Sequence, residues 1–432
     1  MGSAAKSSLT KGTLVLFLLA LSLRLAAATL FGFGARFGDA EGYVKSAEVL
    51  LETGAYPDNV EGLPVFRAPG YPLFLAAVTL GHPRSVPAVI VANALLGALA
   101  VLLAARLGQS LTGSDRAGAF AGLLAACDPA LVLLSTDVQS ECFTVFLLLL
   151  FALSLVAAWR SGRARDALAA GILLGASSLV RPSCLALAPL LPLAPGAGRA
   201  RLRRVGAALA GLTLALAPWT LRNFMRFGAA LPVNDQGGVV FWLGNTQLNA
   251  DYYALRTSGE YQTYLRRFTE EVDRGSVRRL AQAHPNPADR SRAFLADATE
   301  WIRAHPSAWA RLLADKTLDW LRPWANPLVW SPRVVVATGL WNILLFGLAA
   351  VGLTRVPRGV AWAAVAWLAL SAAVHVAMIV VLRYRATFWD PVLVVLAGAA
   401  MLRVLQETER RERPEGSLRR VIAPTRRREA RR

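Results

Sequence analysis

The sequence predicts an all-α polytopic membrane protein. Three observations predict it. The 432 residues are 55% hydrophobic, with a mean hydropathy of +0.43, above the ~45–50% apolar content usual for soluble domains. The apolar residues lie in long blocks, several near the ~20 residues that a membrane-spanning helix needs. The net charge of +19 gathers as Arg in the short segments between blocks, as the positive-inside rule produces. No basic face interleaved with aromatics accompanies that charge, so nucleic acid is not an expected partner. Cys127, Cys142 and Cys184 have no CxxC spacing, which supports neither a disulfide framework nor a zinc site.

Ten spans are expected, with both termini cytoplasmic. The first is 12–31, behind Lys6 and Lys11 and read as an uncleaved anchor. An outer loop, 32–85, follows. In it, "DAEGYVKSAEVLLET" reads as a helix over 40–53 that Gly54 ends. "YPLFLAAVTLG" (71–81) is too short to cross and is expected to lie at the outer surface or re-enter. Spans two to four are 86–108, 117–135 and 141–159, with the Arg116 loop and "RSGRARD" (160–166) inside. Spans five (167–180) and six (183–194) are short, and Pro189 and Pro192 suggest a broken helix, acceptable where protein covers the freed backbone. "GRARLRR" (198–204) is inside and span seven is 205–221.

Residues 222–332 are polar and helical in period, and are expected outside as a small subdomain. Spans eight to ten are 333–353, 359–381 and 387–405, with "TRVPRG" inside and "RYR" (383–385) outside. The tail 406–432, with 10 Arg and 5 Glu, ends inside. The organisation is therefore an N-terminal transmembrane module (1–221), an outer subdomain (222–332), C-terminal spans (333–405) and a basic tail (406–432).

This threading puts the chemically capable residues on one side. Asp39, Glu41, Arg67, Asp137, Glu141, Arg181, Arg222, Arg383 and Arg385 all fall at outer span ends or just beyond. Charge at such depth is costly unless paired or functional. Each residue also has a plain structural role open to it. Asp39 suits a helix cap, Glu41 pairs with Lys45 one turn on, and Glu141 offsets a helix dipole. The arginines suit snorkelling or interface anchoring, and His375 suits a satisfied core position. Converging carboxylates and arginines make a site for an anionic group and a proton acceptor. A transporter or flippase is the competing class, but transporters bind substrate near the midplane. A non-catalytic envelope scaffold is a third.

An ordered set of motifs carries a resemblance. After the outer-loop acid come "FRAPGYPLFLA", "DPALVLLSTDVQSECFTVFLLLL" and "GILLGASSLVRPSCLALAPLLPL". "APWTLRNFMRFGAALPVNDQGGVVFWLGN" and "RYRATFWDPVLVVLAG" follow. In this order, over about residues 12–405, the chain resembles the bacterial membrane glycosyltransferases of family 39. These are relatives of protein O-mannosyltransferases and of the lipid A aminoarabinose transferase. The resemblance implies a GT-C fold, a polyprenyl-phosphate sugar donor and inversion at the sugar carbon. It makes Asp39 the proposed base, with Glu41 and Glu141 as secondary acids. Where many relatives have adjacent Asp-Glu, this chain has Asp-Ala-Glu.

Arg383, Arg385 and Arg181 are the expected phosphate ligands, because a guanidinium fork meets two phosphate oxygens. Tyr43, Arg67, Tyr71, Arg222 and Asn245 are the expected pocket. The other partners are membrane lipids and an acceptor glycan, lipid or protein. No cofactor is assigned, and Asp39, Glu41 and Glu141 are the carboxylates whose meeting would make a divalent-ion site. The expected location is the bacterial inner membrane, with the site facing the periplasm.

Overall fold

The structure, a computed structural model, describes residues 3–412 apart from 33, 35–38, 59–66, 194–195, 256–259, 261–262, 265, 267–269, 271–274 and 328–329. Most of the basic tail therefore lies outside the described residues. The described chain is helical, and its one bridge is an isolated parallel pair, Gly34 with Asp137.

Among the described residues, eighteen α-helices follow in order. The first nine are α1 (Ser3–Phe31), α2 (Asp39–Thr53), α3 (Gly70–Val78), α4 (Val86–Thr112), α5 (Asp115–Cys127), α6 (Pro129–Leu133), α7 (Glu141–Ser161), α8 (Ala164–Val180) and α9 (Gly198–Phe227). A 3₁₀ helix, Pro182–Leu193, separates α8 from α9. Then come α10 (Gln236–Gly244), α11 (Gln247–Leu255), α12 (Ser276–Ala283), α13 (Pro287–Ala304) and α14 (Pro306–Leu321). The last four are α15 (Pro332–Leu353), α16 (Arg358–Ala377), α17 (Leu382–Phe388) and α18 (Asp390–Glu412).

Six helices among the described residues are long and apolar enough to cross a membrane: α1 from Lys11, α4, α7, α9, α15 and α16. Two bent pairs raise the number to eight if each is one span. The chain from Asp115 to Thr136 bends by 55° after Cys127, and that from Leu382 to Leu402 bends by 51° after Phe388. The remaining two of the ten expected spans are α8, with 17 residues, and the 3₁₀ helix, with 12. A 3₁₀ helix rises ~2.0 Å per residue against ~1.5 Å in an α-helix, so each reaches roughly 25 Å. That is short of a ~30 Å hydrocarbon core. Pro189 and Pro192 lie inside the 3₁₀ run and have no N–H to give an α-helical ladder.

Small residues set the packing. Gly171 of α8 lies against α9 so closely that a Cβ there would stand 1.9 Å from the Ala208 carbonyl oxygen. Gly211 of α9 returns the contact against Leu168. In lipid, helices gain from such backbone approach. One apolar core joins α1, α4, α5, α7, α15 and α18 around Val101, Leu149, Leu345 and Val394. A second joins α7, α8, the 3₁₀ helix and α16 around Phe151, Leu174, Leu187 and Trp367.

The described residues of 222–332 form the helices α10 to α14 and the end of α9. The 221/222 boundary falls inside α9, which continues to Phe227. Trp242, Val277, Phe294 and Ala298 form a small separate core. The buried Arg290 donates to Asp235 at 2.8 Å, tying α13 to the start of α10.

Candidate active site

Five charged side chains from five separate parts of the chain meet at one end of the helices. Each arrives for a local reason. In α2, Ala40, Val44 and Ala47 share one helical face, which packs on Tyr71, Leu75, Val89 and Val180. Gly54 (φ +70°) stops the helix. This seats Asp39 in the first turn with its carboxylate turned to the centre. Arg67 comes three residues before α3, which docks on α8 through Gly70. A Cβ at Gly70 would lie 2.8 Å from the Leu179 carbonyl oxygen, so glycine permits the approach that brings Arg67 towards Arg181. Arg181 ends α8 with extended backbone (φ −140°, ψ 109°), as a residue before proline prefers. Glu141 opens α7 and is fully buried. Arg383 lies in the first turn of α17.

Arg383 is the hub. Its Nη2 donates to Asp39 Oδ2 at 2.8 Å, and its Nε lies 3.4 Å from Glu141 Oε1. Arg67 Nη1 meets the other Asp39 oxygen at 3.0 Å. Arg181 Nη1 lies 3.2 Å from Glu141 Oε1 and donates to Ser140 Oγ at 3.2 Å. The Tyr384 ring lies under two of them, 4.1 Å from the Arg181 guanidinium carbon and 5.1 Å from that of Arg383. Tyr43 faces Arg67 at 5.2 Å and Tyr71 edge-on at 4.9 Å.

Three guanidinium groups thus face two carboxylates, leaving one positive charge in excess. Glu141 is sealed in, whereas the Asp39 side chain is 32% exposed. Burial alone would raise the Asp39 pKa. Arg67 and Arg383, with Arg181 behind them, outweigh burial and hold the carboxyl below its ordinary value. Burial, helped by the Asp39 charge, pushes the Tyr43 phenol up and keeps it neutral. Such an arrangement holds a proton acceptor at an accessible position and has charge to spare for an anion.

The other expected site residues lie elsewhere. Arg385 turns away because side chains two apart on a helix do not share a face. It is buried, donates to the Arg322 carbonyl and interacts with Asp390 and Asp128. Glu41 diverges from Asp39 for the same reason and pairs with Lys45 (3.8 Å) and Arg84 (3.4 Å). No group of three or more His, Cys, Asp or Glu side chains suited to a metal occurs among the described residues. Arg222 holds Asp58 at 2.7 Å.

Asn245 is fully engaged. Its amide donates to the Phe241 and Ala377 carbonyls, and its oxygen accepts from Trp309 and Lys316. Tyr71 is wholly buried beneath Tyr43. Asp137 sits in the bridge to Gly34, which ties the chain after α1 to the approach of α7. Sequence reasoning did not single out Ser140 or the stacking role of Tyr384. The aromatic between two arginines in "RYR" was the available signal for the second.

Comparison with known proteins agrees with this architecture. Residues 67–221 match the family described as dolichyl-phosphate-mannose-protein mannosyltransferase. That stretch holds Arg67, Glu141 and Arg181, whereas Asp39 and Arg383 lie outside it. No curated protein matches the chain. Among solved structures, the oligosaccharyltransferase AglB from Archaeoglobus fulgidus, in complex with an inhibitory peptide and a dolichol-phosphate, superposes with a TM-score of 0.56 at 13% identity. The match covers 95% of this chain and 52% of that one, so the chain spans about half the length of the archaeal enzyme. Its apo form gives 0.55 at 14% identity, over 94% and 52%. ArnT from Cupriavidus metallidurans bound to undecaprenyl phosphate gives 0.40 at 13%, over 95% and 80%. The chain has the GT-C membrane fold, and its stretch 67–221 matches the dolichyl-phosphate-mannose-protein mannosyltransferase family.

Proposed function

We propose that this protein is an inverting glycosyltransferase. It moves a sugar from a polyprenyl-phosphate donor to an acceptor hydroxyl at the outer face of the membrane, with Asp39 as the base. The observation that carries the reading is Arg383 shared between Asp39 and Glu141 at 2.8 and 3.4 Å, with Arg67 and Arg181 beside them.

A sugar on a lipid phosphate is a phosphodiester with one negative charge. As the acceptor oxygen attacks the anomeric carbon, the carbon–oxygen bond to phosphate breaks and the lipid phosphate leaves with the electron pair. Its charge approaches two. Arg383 and Arg181 gain interaction as that charge grows, so they favour the transition state over the ground state. The acceptor proton passes to Asp39, for which one positioned base contributes roughly 10²–10⁴-fold. When Arg383 turns to the phosphate, Asp39 loses one of its two ion pairs and becomes a better base as the reaction needs it. Glu141, buried between Arg181 and Arg383, keeps both guanidinium groups in place.

The helix ends support the outer location. α7 starts at Glu141 and ends near Arg160. α8 starts beside Arg163 and Arg165 and ends at Arg181. α9 starts among Arg199, Arg201, Arg203 and Arg204. The basic loops thus lie at the ends opposite the site, and basic loops stay cytoplasmic.

The test is incubation of the purified protein with mannosyl-, glucosyl-, galactosyl- and arabinosyl-phosphoundecaprenol and envelope fractions. Release of undecaprenyl phosphate with a matching gain of sugar mass on an acceptor is expected. Absence of release from every donor counts against the reading.

A further inference from the structure

Asp39 is held by Arg67, and Arg67 is itself held. The phenol of Tyr56, eleven residues earlier in the chain, donates to the Arg67 carbonyl at 2.9 Å and lies 3.3 Å from that of Ala68. Tyr56 is anchored in turn from α9. Arg222 Nη2 donates to the Tyr56 carbonyl at 2.8 Å and to Asp58 Oδ1 at 2.7 Å. Arg226 binds the other Asp58 oxygen. The Trp219 ring meets the Tyr56 ring edge-on at 5.0 Å and carries the Arg222 guanidinium 5.0 Å above it. Three consecutive turns of α9 therefore grip the outer loop at Tyr56 and Asp58, and Tyr56 passes that grip to the peptide unit that presents Arg67.

We infer that Tyr56 and Arg222 are positioning residues for Asp39, acting through Arg67. The inference deepens the reading of Asp39 as base and rests on it. A hydroxyl on a peptide carbonyl does not touch the carboxylate; it fixes where the guanidinium starts. The Arg67 side chain then crosses to Asp39 at 3.0 Å. The groups facing Asp39 are Arg67 from the α3 approach, Arg383 from α17, Arg181 from the end of α8 and Tyr43 from its own helix. Of these, Arg67 is the one whose backbone Tyr56 holds, with Arg222 holding Tyr56 behind it. Loosening it removes part of the attraction that keeps Asp39 ionised, while Arg383 and Arg181 stay in place.

The test uses the full-length protein in detergent with two readouts. The first needs no donor: phenylglyoxal modification of individual arginines, followed by mass spectrometry. Tyr56→Phe, which keeps the ring against Trp219, should speed modification of Arg67 by about fivefold, the equivalent of one lost hydrogen bond of ~1 kcal/mol. Arg222→Lys should act in the same direction. Arg181 and Arg383 serve as internal controls, because general loosening of the fold would expose them too.

The second readout is the pH profile of undecaprenyl phosphate release. With Arg67 loosened, the acid limb set by Asp39 should move to higher pH, and Tyr56→Phe should add nothing in an Arg67→Ala background. Unchanged Arg67 modification in Tyr56→Phe overturns the inference whatever the turnover. A dead Asp39→Asn together with an unshifted acid limb in Tyr56→Phe overturns it while leaving the base reading intact. Wild-type turnover in Asp39→Asn overturns the base reading and, with it, the service of Tyr56 to Asp39.

Discussion

Replacing Arg383 by Ala should damage turnover far more than stability, and the geometry says by how much. The residue makes a charged hydrogen bond to Asp39 at 2.8 Å, a longer one to the Tyr384 hydroxyl at 3.4 Å and a contact to Glu141 at 3.4 Å. Its removal leaves neither acid alone, because Arg67 stays 3.0 Å from Asp39 and Arg181 stays 3.2 Å from Glu141. The stability loss should therefore match one charge-assisted hydrogen bond, about 1.5–3 kcal/mol. Stranding a buried charge would cost more, ~3–5 kcal/mol. Losing one preorganised group facing the leaving phosphate should lower kcat by roughly 10²–10³, or about 3–4 kcal/mol at the transition state. Lys should restore part of this, since it supplies the charge without the fork.

Arg385→Ala is the control two residues away. It removes a buried guanidinium that donates to the Arg322 carbonyl and faces Asp390. Stability should fall by about 1.5–3 kcal/mol, as for one charge-assisted hydrogen bond, and kcat far less than in Arg383→Ala. Kinetics of lipid phosphate release and a thermal melt of each variant measure both quantities. Unchanged kcat and KM in Arg383→Ala, or a larger kcat loss in Arg385→Ala, would refute the assignment of Arg383 to the phosphate.

Three further outcomes follow from particular contacts. Arg67→Ala should raise the acid limb of the pH–rate profile. The Asp39 pKa is held below its ordinary 3.8 by Arg67 and Arg383 against the upward push of burial, so losing one arginine lifts it. For the same reason the ion pairs stabilise the fold above that ordinary value, and their contribution is lost as pH falls through the lowered one. Gly70→Ala should cost ~1–3 kcal/mol by overpacking, since its Cβ would stand 2.7 Å from Val180 Cγ2; a melting curve like wild type would contradict that close approach. Lys316 is buried on the neutral acceptors Met378 O (2.8 Å) and Asn245 Oδ1 (3.3 Å), and burial lowers its pKa to about 7. The unfolded chain holds that proton up to a higher pH, so wild-type stability should rise from about pH 7 towards 10. Lys316→Met should flatten the rise, as melts across that range would show.

Much of this was legible in the sequence because it rests on spacing. The α2 helix and its Gly54 stop, the docking of 71–81 as a short helix and the helices described within 222–332 came from periodicity and turn residues. The shared side of Asp39, Glu141, Arg181 and Arg383 came from counting spans. Angular information was less accessible. "RYR" is compatible with a strand-like or a helical segment; it is helical, so Arg383 and Arg385 part company, as Asp39 and Glu41 do. Asn245 and Arg222 are polar residues near outer span ends, like the site residues, but their partners come from distant parts of the chain. Asn245 meets Ala377 and Lys316, and Arg222 meets Asp58. No local pattern encodes such pairings. The short α8 and the 3₁₀ helix also show why the number of crossings is hard to read: length in ångströms depends on which helix forms.

The orientation is open to a direct experiment. Glu300→Cys, at an exposed position of α13, should be labelled by a membrane-impermeant maleimide in intact cells of a cysteine-free variant. Labelling only after the inner membrane is opened would reverse the assignment of faces.

The most direct test of the central claim compares wild type with Asp39→Asn. Purified protein is given the polyprenyl-phosphate sugar that the wild type turns over, and the released undecaprenyl phosphate is measured. Asn fits the first turn of a helix about as well as Asp, and it can still accept a hydrogen bond from Arg383, but it cannot take a proton. Loss of release by at least ~10²-fold, with binding of the donor retained, is the expected result. Release at the wild-type rate would show that Asp39 only fastens two arginines and that the base, if there is one, is another group.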